Sequence, residues 1–252
     1  PASSRLRSAG GPGARRRYMD VILSLNRDGY LESLQIYKHI LSQRNSALRS
    51  GADMSVVRVW DDALAKSASK IMVERSEWVM GHREAFRKYY EEISTQDSAS
   101  MTYVSKISSE DWKHEEVYAR CLGALEDSWS RDFYRKSTTQ GPHRDELLIN
   151  LEADKTLGEV KEIGSGGQRR TAALALRLIE GDTVKGSRGV QPILLLDDAF
   201  AELDDSRRER VILLMDQDRF GQVIMTAPKE GDVQIHGDKL YQWGIKEGRI
   251  YA

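Results

Sequence analysis

Apolar positions recur every three or four residues through the first half of the chain; further on they alternate or run together. After Tyr30, the residues Leu34, Tyr37, Leu41, Arg44 and Leu48 fall on one face of a predicted helix. Ser50-Gly51 ends it, because glycine takes the left-handed conformation that closes a helix. A longer helix follows, with Trp60, Leu64, Ile71, Trp78 and Phe86 as its apolar seam. Its other face carries Asp62, Lys66, Lys70, Glu77, Glu84 and Lys88 and is expected to be solvated. The seam spacing of three, four and seven predicts two antiparallel helices packed as a short coiled coil. Ser94 to Ser100 is polar and reads as a loop. Asp111 to Lys136 is helical again, with Val117, Cys121, Leu125 and Trp129 at steps of four. Aromatics at helical spacing are core more often than not, so Tyr89, Tyr90 and Trp112 read as core, with base stacking as the alternative.

The pattern changes at Thr138. Gly141-Pro142 stops a helix, and Leu147, Ile149 and Leu151 alternate with Leu148, Asn150 and Glu152 as in a strand. A glycine-rich loop, Gly164 to Arg170, leads into an apolar helix over Thr171 to Glu180. Gly181 to Gly189 reads as a mobile surface loop. Ile193 to Leu196 is a continuous apolar run, the pattern of a central strand covered on both faces. Asp204 can cap a helix running to about Asp216, with Val211 and Leu214 on its inner side. Gly221 to Ala227 predicts another buried strand. Leu240 to Ile245 and Arg249 to Tyr251 flank Lys246-Glu247-Gly248 as a terminal hairpin. From Thr138 onward the chain is therefore expected to be mixed α/β.

Composition narrows this picture. The 252 residues are 40 % hydrophobic and 31 % charged, as in a soluble globular protein. No run of about 18 apolar residues predicts a membrane span, and no apolar segment at the start resembles a secretory signal. A lone cysteine, Cys121, forms no internal disulfide and leaves no cysteine-based metal site, so a reducing cytoplasm is expected. The net charge of −1 is uninformative, but Arg5, Arg7, Arg15, Arg16 and Arg17 open the chain with no acid among them. Pro1 to Ala14 is rich in Gly, Ser and Pro and is expected to be irregular, with order beginning near Arg16. That segment is either a flexible tail or a phosphate-contacting edge. The chain begins without Met, which predicts a fragment or a processed chain.

Two stretches carry candidate chemistry. Ser165-Gly166-Gly167-Gln168 stands at a helix start, where free N–H groups and the helix dipole attract anions. Glycine admits a phosphate close to the backbone, and Ser165 adds a hydroxyl donor. The bland alternative is a linker. Asp197-Asp198 ends the apolar run at the strand edge where α/β ligand sites lie. Asp197 can hold Mg²⁺ through water, and Asp198 can orient or deprotonate an attacking water. Their bland alternative is a turn or helix-capping pair. His143 is weighed as a structural or supporting residue against a catalytic one, with structure favoured; Arg144 either pairs with Asp145 or Glu146 or faces a nucleotide.

These motifs, in this order, resemble those of ABC-type ATPases. Ser165-Gly166-Gly167-Gln168 is similar to their signature motif, Leu194-Leu195-Leu196-Asp197-Asp198 to the Walker B strand, and Ala201-Glu202-Leu203-Asp204 to the D-loop. Thr226 stands where the switch histidine would be. More narrowly, the chain resembles the RecF family of bacterial DNA-repair and recombination ATPases, relatives of the structural-maintenance-of-chromosomes proteins. Arg15-Arg16-Arg17-Tyr18-Met19-Asp20, Gln43-Arg44-Asn45 and Thr139-Gln140-Gly141-Pro142-His143-Arg144-Asp145-Glu146 carry that closer likeness, which covers nearly all of the chain from Gly11.

The resemblance implies an α/β fold: part of an ABC-type P-loop NTPase head with an inserted arm of antiparallel helices. The division it implies is a basic irregular segment over 1–20, the arm over 21–137 and the head over 138–252. It implies ATP and Mg²⁺ as cofactors and a homodimer that closes on ATP, with Ser165 to Gln168 meeting the γ-phosphate bound to a partner. Asp197, Asp198 and Thr226 would serve catalysis, Asp197 the metal, and Glu202 and Asp204 the D-loop. Arg15, Arg16, Arg17, His143 and Arg144 are candidate DNA or nucleotide contacts. The implied partners are double-stranded and gapped DNA and the mediators RecO and RecR in loading RecA, with no membrane. No Gly-x-x-x-x-Gly-Lys-Ser/Thr occurs, so the chain reads as the C-terminal part of such a protein and is expected to be inactive alone. Asp198 stands where a glutamate commonly acts as base, and its shorter reach implies slow hydrolysis. A non-catalytic interaction module, or the ATPase head of another chromosome-organising or defence system, are the alternatives.

Overall fold

The structure, a computed structural model, describes residues 11–107, 109–153, 156–198, 200, 202–215, 220–227, 241–246 and 248–251. Order begins earlier than the composition predicts. Helix α1 (Pro12–Asn26) starts at a proline, which suits the first turn because its missing N–H has no helical acceptor there. Tyr18, Met19, Ile22 and Leu23 are buried, and the Tyr18 hydroxyl donates to the Leu176 carbonyl at 2.7 Å. The expected irregular segment over 1–20 is thus helical from Pro12, because tertiary burial outweighs its Gly- and Pro-rich start. Residues 1–10, with Arg5 and Arg7, lie outside the described residues.

Helix α2 (Tyr30–Ser50) lies between two left-handed glycines, Gly29 (φ 72°) and Gly51 (φ 73°). Its predicted face holds: Leu34, Tyr37, Arg44 and Leu48 are buried. After the short α3 (Met54–Arg58) comes α4 (Asp61–Ser94), 34 residues and about 50 Å long. Leu64, Ile71, Trp78 and Phe86 are buried on it, while Asp62, Lys66, Glu77, Glu84 and Lys88 are exposed. Tyr89 and Tyr90 are buried, and Trp112 packs against the core.

Helix α4 packs against α2, and also against α5 (His114–Asp127), α8 (Gly166–Arg188), α9 (Asp205–Met215) and a strand. That strand, β1 (Ser98–Val104), corrects the expectation: it begins in the polar stretch read as a loop and lies inside the arm expected over 21–137. It pairs antiparallel with β2 (Glu146–Ala153), setting Ala99 opposite Leu151 and Met101 opposite Ile149, all four buried. The sheet, completed by β3 (Thr156–Glu159) in the order β1-β2-β3, crosses the boundary expected at 137/138. The pairing partner is some fifty residues away in sequence, so no local pattern announced it.

Helix α6 (Trp129–Arg135) continues α5 after a break at Ser128, and a 3-10 turn (Pro142–Arg144) follows. Beyond α7 (Val160–Ile163), α8 runs through the stretch read as a mobile loop. Thr183 explains this: it is buried, accepts from the Trp78 indole at 3.0 Å and donates to the Ile179 carbonyl at 2.8 Å. Gly189 (φ 66°) closes the helix.

Strand β4 (Ile193–Leu196) pairs in parallel with β5 (Gln222–Met225). The expected cover on both faces is not found. Leu194 and Leu196 are buried, but Ile193 is 61 % and Leu195 63 % exposed, and β5 is no more than half-buried. One apolar face of this pair therefore meets solvent in the described structure. Helix α9 buries Val211 and Leu214, as the sequence predicts. The terminal hairpin also forms, from β6 (Gly244–Lys246) and β7 (Arg249–Tyr251).

Two buried arginines join the helices to the turn before β2. Arg44, fully buried, donates to Asp61 at 2.8 Å, to Asp132 at 2.8 Å and to Thr138 at 2.9 Å. Asp132, also fully buried, receives the Thr139 N–H and hydroxyl. Asn45 accepts from the Thr138 N–H at 2.7 Å. Arg75 donates to the Tyr30 hydroxyl, the Pro142 carbonyl at 2.8 Å and Asp20 at 2.7 Å. Removing one partner of such a pair strands a buried charge. Arg44→Met is therefore expected to cost about 3–5 kcal/mol of unfolding free energy, read from urea denaturation. A loss under about 1 kcal/mol would show that Asp132 is not held as a charge by Arg44.

Candidate nucleotide half-site

The site is built on the N-terminus of α8. Ser165 caps it: its hydroxyl accepts from the Gln168 N–H at 3.2 Å, while Gln168 Oε1 accepts from the Ser165 N–H at 2.8 Å. This reciprocal capping box satisfies two N–H groups that a helix start leaves orphaned. Ser165 itself stays exposed, at the positive end of a 23-residue helix.

Gly166 and Gly167 are closely approached by the turn that follows β4 and by α9. A side chain at Gly166 would come 3.0 Å from Glu202 Oε2. One at Gly167 would meet Arg207 Nη1 at 2.8 Å and the Glu202 carbonyl at 3.2 Å. Glu202 holds a left-handed backbone (φ 62°) to make this approach. Buried Phe200 and Leu203 pin the turn, and Asp204 Oδ1 accepts from the Arg207 N–H at 2.9 Å to cap α9. Ala201 lies outside the described residues.

At the tip of β4, Asp197 and Asp198 are exposed, and Asp198 is left-handed (φ 50°). Thr226, at the end of β5, ties them together. Its hydroxyl donates to Asp197 Oδ1 at 2.8 Å and accepts from the Asp198 N–H at 2.9 Å. Arg170 of α8 reaches the carbonyls of Asp197 and Asp198. One helix thus links signature loop and carboxylate tip. Among the described residues, no three His, Cys, Asp or Glu side chains come together to enclose a metal. The exposed carboxylates of Asp197 and Asp198 are of the type that Mg²⁺ takes, one or two carboxylates with water and phosphate completing its shell.

The candidate basic contacts separate in space. Arg15 is buried in an ion pair with Glu146, and Arg16 donates to the Asp145 carbonyl at 2.8 Å. Both are bound within the fold; Arg17 and Arg144 are exposed, and Arg144 Nη2 donates to the Thr138 carbonyl at 3.3 Å. His143 sits between Tyr37 and Thr138: its Nε2–H donates to the Thr138 carbonyl at 3.0 Å, so Nδ1 accepts from the Tyr37 hydroxyl. Burial pushes its imidazole down to about 4, which keeps it neutral. It braces the turn, in line with the structural alternative.

Three residues to which the sequence assigned no role join the site: Arg170, Arg207 and Asp97. Asp97 Oδ2 accepts from Gln168 Nε2 at 2.8 Å and stands 3.8 Å from Arg207 Nη2. It lies about seventy residues before the signature loop, in a stretch without apolar periodicity, so no sequence signal marks it.

No family model matches the chain. It is 34 % identical over 206 residues to the DNA replication and repair protein RecF of Streptococcus pyogenes serotype M1, covering 81 % of this chain and 54 % of that protein. It is 32 % identical over 258 residues to the DNA replication and repair protein RecF of Phocaeicola vulgatus, covering all of this chain and 64 % of that one. The chain thus spans between half and two thirds of the length of these relatives. A solved structure of the recombination mediator protein RecF with ATPrS, described in the RecFOR pathway, superposes with a TM-score of 0.77 at 28 % identity. That match covers 95 % of this chain and 63 % of the other.

The buried histidine predicts a pH dependence. Its folded value lies below the ordinary value of about 6.5, so the unfolded chain takes up the proton first. The stability it contributes is complete above about 6.5 and is lost as pH falls toward about 4. Urea unfolding at pH 7 and pH 4.5 is expected to show an excess loss of roughly 2 kcal/mol relative to a His143→Gln variant. Equal losses would mean that His143 is not buried neutral.

Proposed function

We propose, from the premise that the chain belongs to the RecF family of DNA replication and repair proteins, that it supplies the signature half of an ATP-dependent dimer acting on DNA. The observation that carries this reading is the exposed, capped Ser165 on the same helix whose Arg170 grips the tip carrying Asp197 and Asp198. A loop so placed is suited to the γ-phosphate of a nucleotide held by a second molecule. Ser165 donates its hydroxyl, and the first N–H groups of α8 add their positive end.

The carboxylate tip serves the nucleotide on the chain's own side. Asp197, its carboxylate oriented by the Thr226 hydroxyl, would hold Mg²⁺, which would supply charge to the phosphates. Asp198 orients the attacking water; its short side chain makes hydrolysis slow, as suits a switch. Bound ATP supplies the transferable phosphoryl group and the charge that draws two heads together, and hydrolysis removes that charge. Glu202 and Asp204 shape the D-loop that packs on the signature glycines.

Double-stranded DNA beside single-strand gaps is the substrate of this dimer, held mainly through backbone phosphates. Arg17 and Arg144 are the exposed candidates from the sequence motifs, and Arg131, Arg135 and Lys136 are exposed on α6 and at its end. RecR and RecO are the partners, and RecA loading the outcome. No helix among the described residues is long and apolar enough to cross a membrane.

A second reading, a non-catalytic interaction module, is favoured by one observation: the sequence contains no Gly-x-x-x-x-Gly-Lys-Ser/Thr. Equilibrium ATP binding to these 252 residues alone separates the issues. No measurable binding is expected, and micromolar affinity would overturn the assignment of the phosphate loop to other sequence. For the dimer, Ser165→Arg in the full-length protein is the direct test. ATP binding to the monomer should survive while ATP-dependent dimerisation, followed by sedimentation, fails; normal dimers would refute the role across the interface.

A further inference from the structure

The link between α4 and β1 is only three residues long, Thr95 to Asp97, and it is tightly built. Thr95 adopts a left-handed backbone (φ 73°), and its N–H closes α4 on the Glu91 carbonyl at 3.0 Å. The Asp97 N–H donates to Ser94 Oγ at 3.2 Å, and Ser94 Oγ donates back to Asp97 Oδ2 at 3.3 Å. The turn leaves the Asp97 carboxylate 15 % exposed and aimed at the start of α8. Nothing in the ATPase motifs accounts for an acid there.

We propose that Asp97 is a positioning residue for the signature loop, holding Ser165 and the D-loop helix in the geometry that receives a partner's nucleotide. The inference rests on the function proposed above. The Gln168 amide is a fork. Its oxygen accepts the Ser165 N–H at 2.8 Å, and its nitrogen donates to Asp97 at 2.8 Å. Only one orientation of the amide satisfies both bonds. The rotamer of Gln168, and with it the cap at Ser165, is therefore set by a carboxylate from a different element. The bond is charge-assisted and largely shielded from solvent, which places it among the stronger hydrogen bonds.

The same carboxylate faces Arg207 at 3.8 Å, and Arg207 holds Asp204 at 3.0 Å while crowding Gly167. The shorter distance makes Gln168 the main partner of Asp97 and Arg207 a supporting one. Through these contacts the end of α4, the signature helix α8 and the D-loop helix α9 share one junction. A shift of α4 relative to α8 therefore reaches Ser165 through two side-chain bonds, which gives the helical part of the molecule a route to the nucleotide interface.

The test uses the full-length protein at saturating ATP, with dimerisation read by sedimentation across protein concentrations and ATP affinity read on the monomer. Asp97→Ala is expected to weaken dimerisation roughly ten- to a hundredfold, the worth of a charge-assisted bond. Monomer ATP affinity is expected to stay within about twofold of the wild type, because Asp97 contacts Gln168, Arg207 and Ser94 and not the Asp197-Asp198 tip. Asp97→Asn keeps a neutral acceptor for Gln168 but loses the charge, and is expected to weaken dimerisation by no more than about tenfold, less than Asp97→Ala. Gln168→Met removes the same bond together with the cap on Ser165, so it is expected to lose at least as much as Asp97→Ala, and the double variant to be no worse than Gln168→Met alone. Should Asp97→Ala not fold, Asp97→Asn and Gln168→Met still separate, the first being the milder. Wild-type dimerisation by Asp97→Ala or by Gln168→Met, equal impairment of Asp97→Asn, or additive losses in the double variant would each overturn the inference. Ser165→Arg is the control. If it abolishes dimers while Asp97→Ala does not, only the role of Asp97 falls; if it too dimerises normally, the function proposed above falls first.

Discussion

Arg44 and Arg75 each carry a full positive charge into the interior, and the architecture follows from how those charges are met. A buried guanidinium is tolerated only where oxygen atoms surround it. Arg44 finds Asp61, Asp132 and Thr138; Arg75 finds Tyr30, Asp20 and the Pro142 carbonyl. These partners come from α1, α2, α4, α6 and the turn before β2. The helical portion and the sheet are consequently fixed against each other through residues 138–145. His143, neutral and bonded to both Tyr37 and Thr138, completes the same knot.

From that anchored turn the geometry runs on to the site. β2 leaves the turn and pairs with β1, and β1 follows directly on the link that carries Asp97. Helix α4, which donates Arg75 near its middle, ends just before that link. The position of the carboxylate facing Gln168 is therefore a downstream consequence of where α4 is held. On the other side, α8 packs against α4, and its first turn carries both Ser165 and Arg170. A single rigid helix thus spans the two halves of the site, the loop that faces outward and the strand tip with its acids.

The exposed face of β4 and β5 bears on how the chain is used. Ile193 and Leu195 belong to a run whose composition is that of a strand with two dry faces, yet in the described residues only one is dry. The physical rule behind the expectation is sound, since aliphatic runs form where both sides are covered. The chain spans between half and two thirds of its relatives' length.

The sequence by itself determined the features that depend on near neighbours. The helix face of α2, its glycine stop, the alternation of β2, the capping box at Ser165 and the cap at Asp204 all depend on residues within a few positions of each other, where spacing and residue type suffice. Only the tertiary structure decided the rest. β1 became a strand because β2 lay beside it. Gly181 to Arg188 stayed helical because Trp78 and the core held Thr183. Arg15 and Arg16, candidate DNA or nucleotide contacts by sequence, are engaged by Glu146 and the Asp145 carbonyl. Asp97 entered the site across about seventy residues of chain. In each case the deciding energy came from burial, pairing or a hydrogen bond between groups far apart in sequence, which a local pattern does not encode.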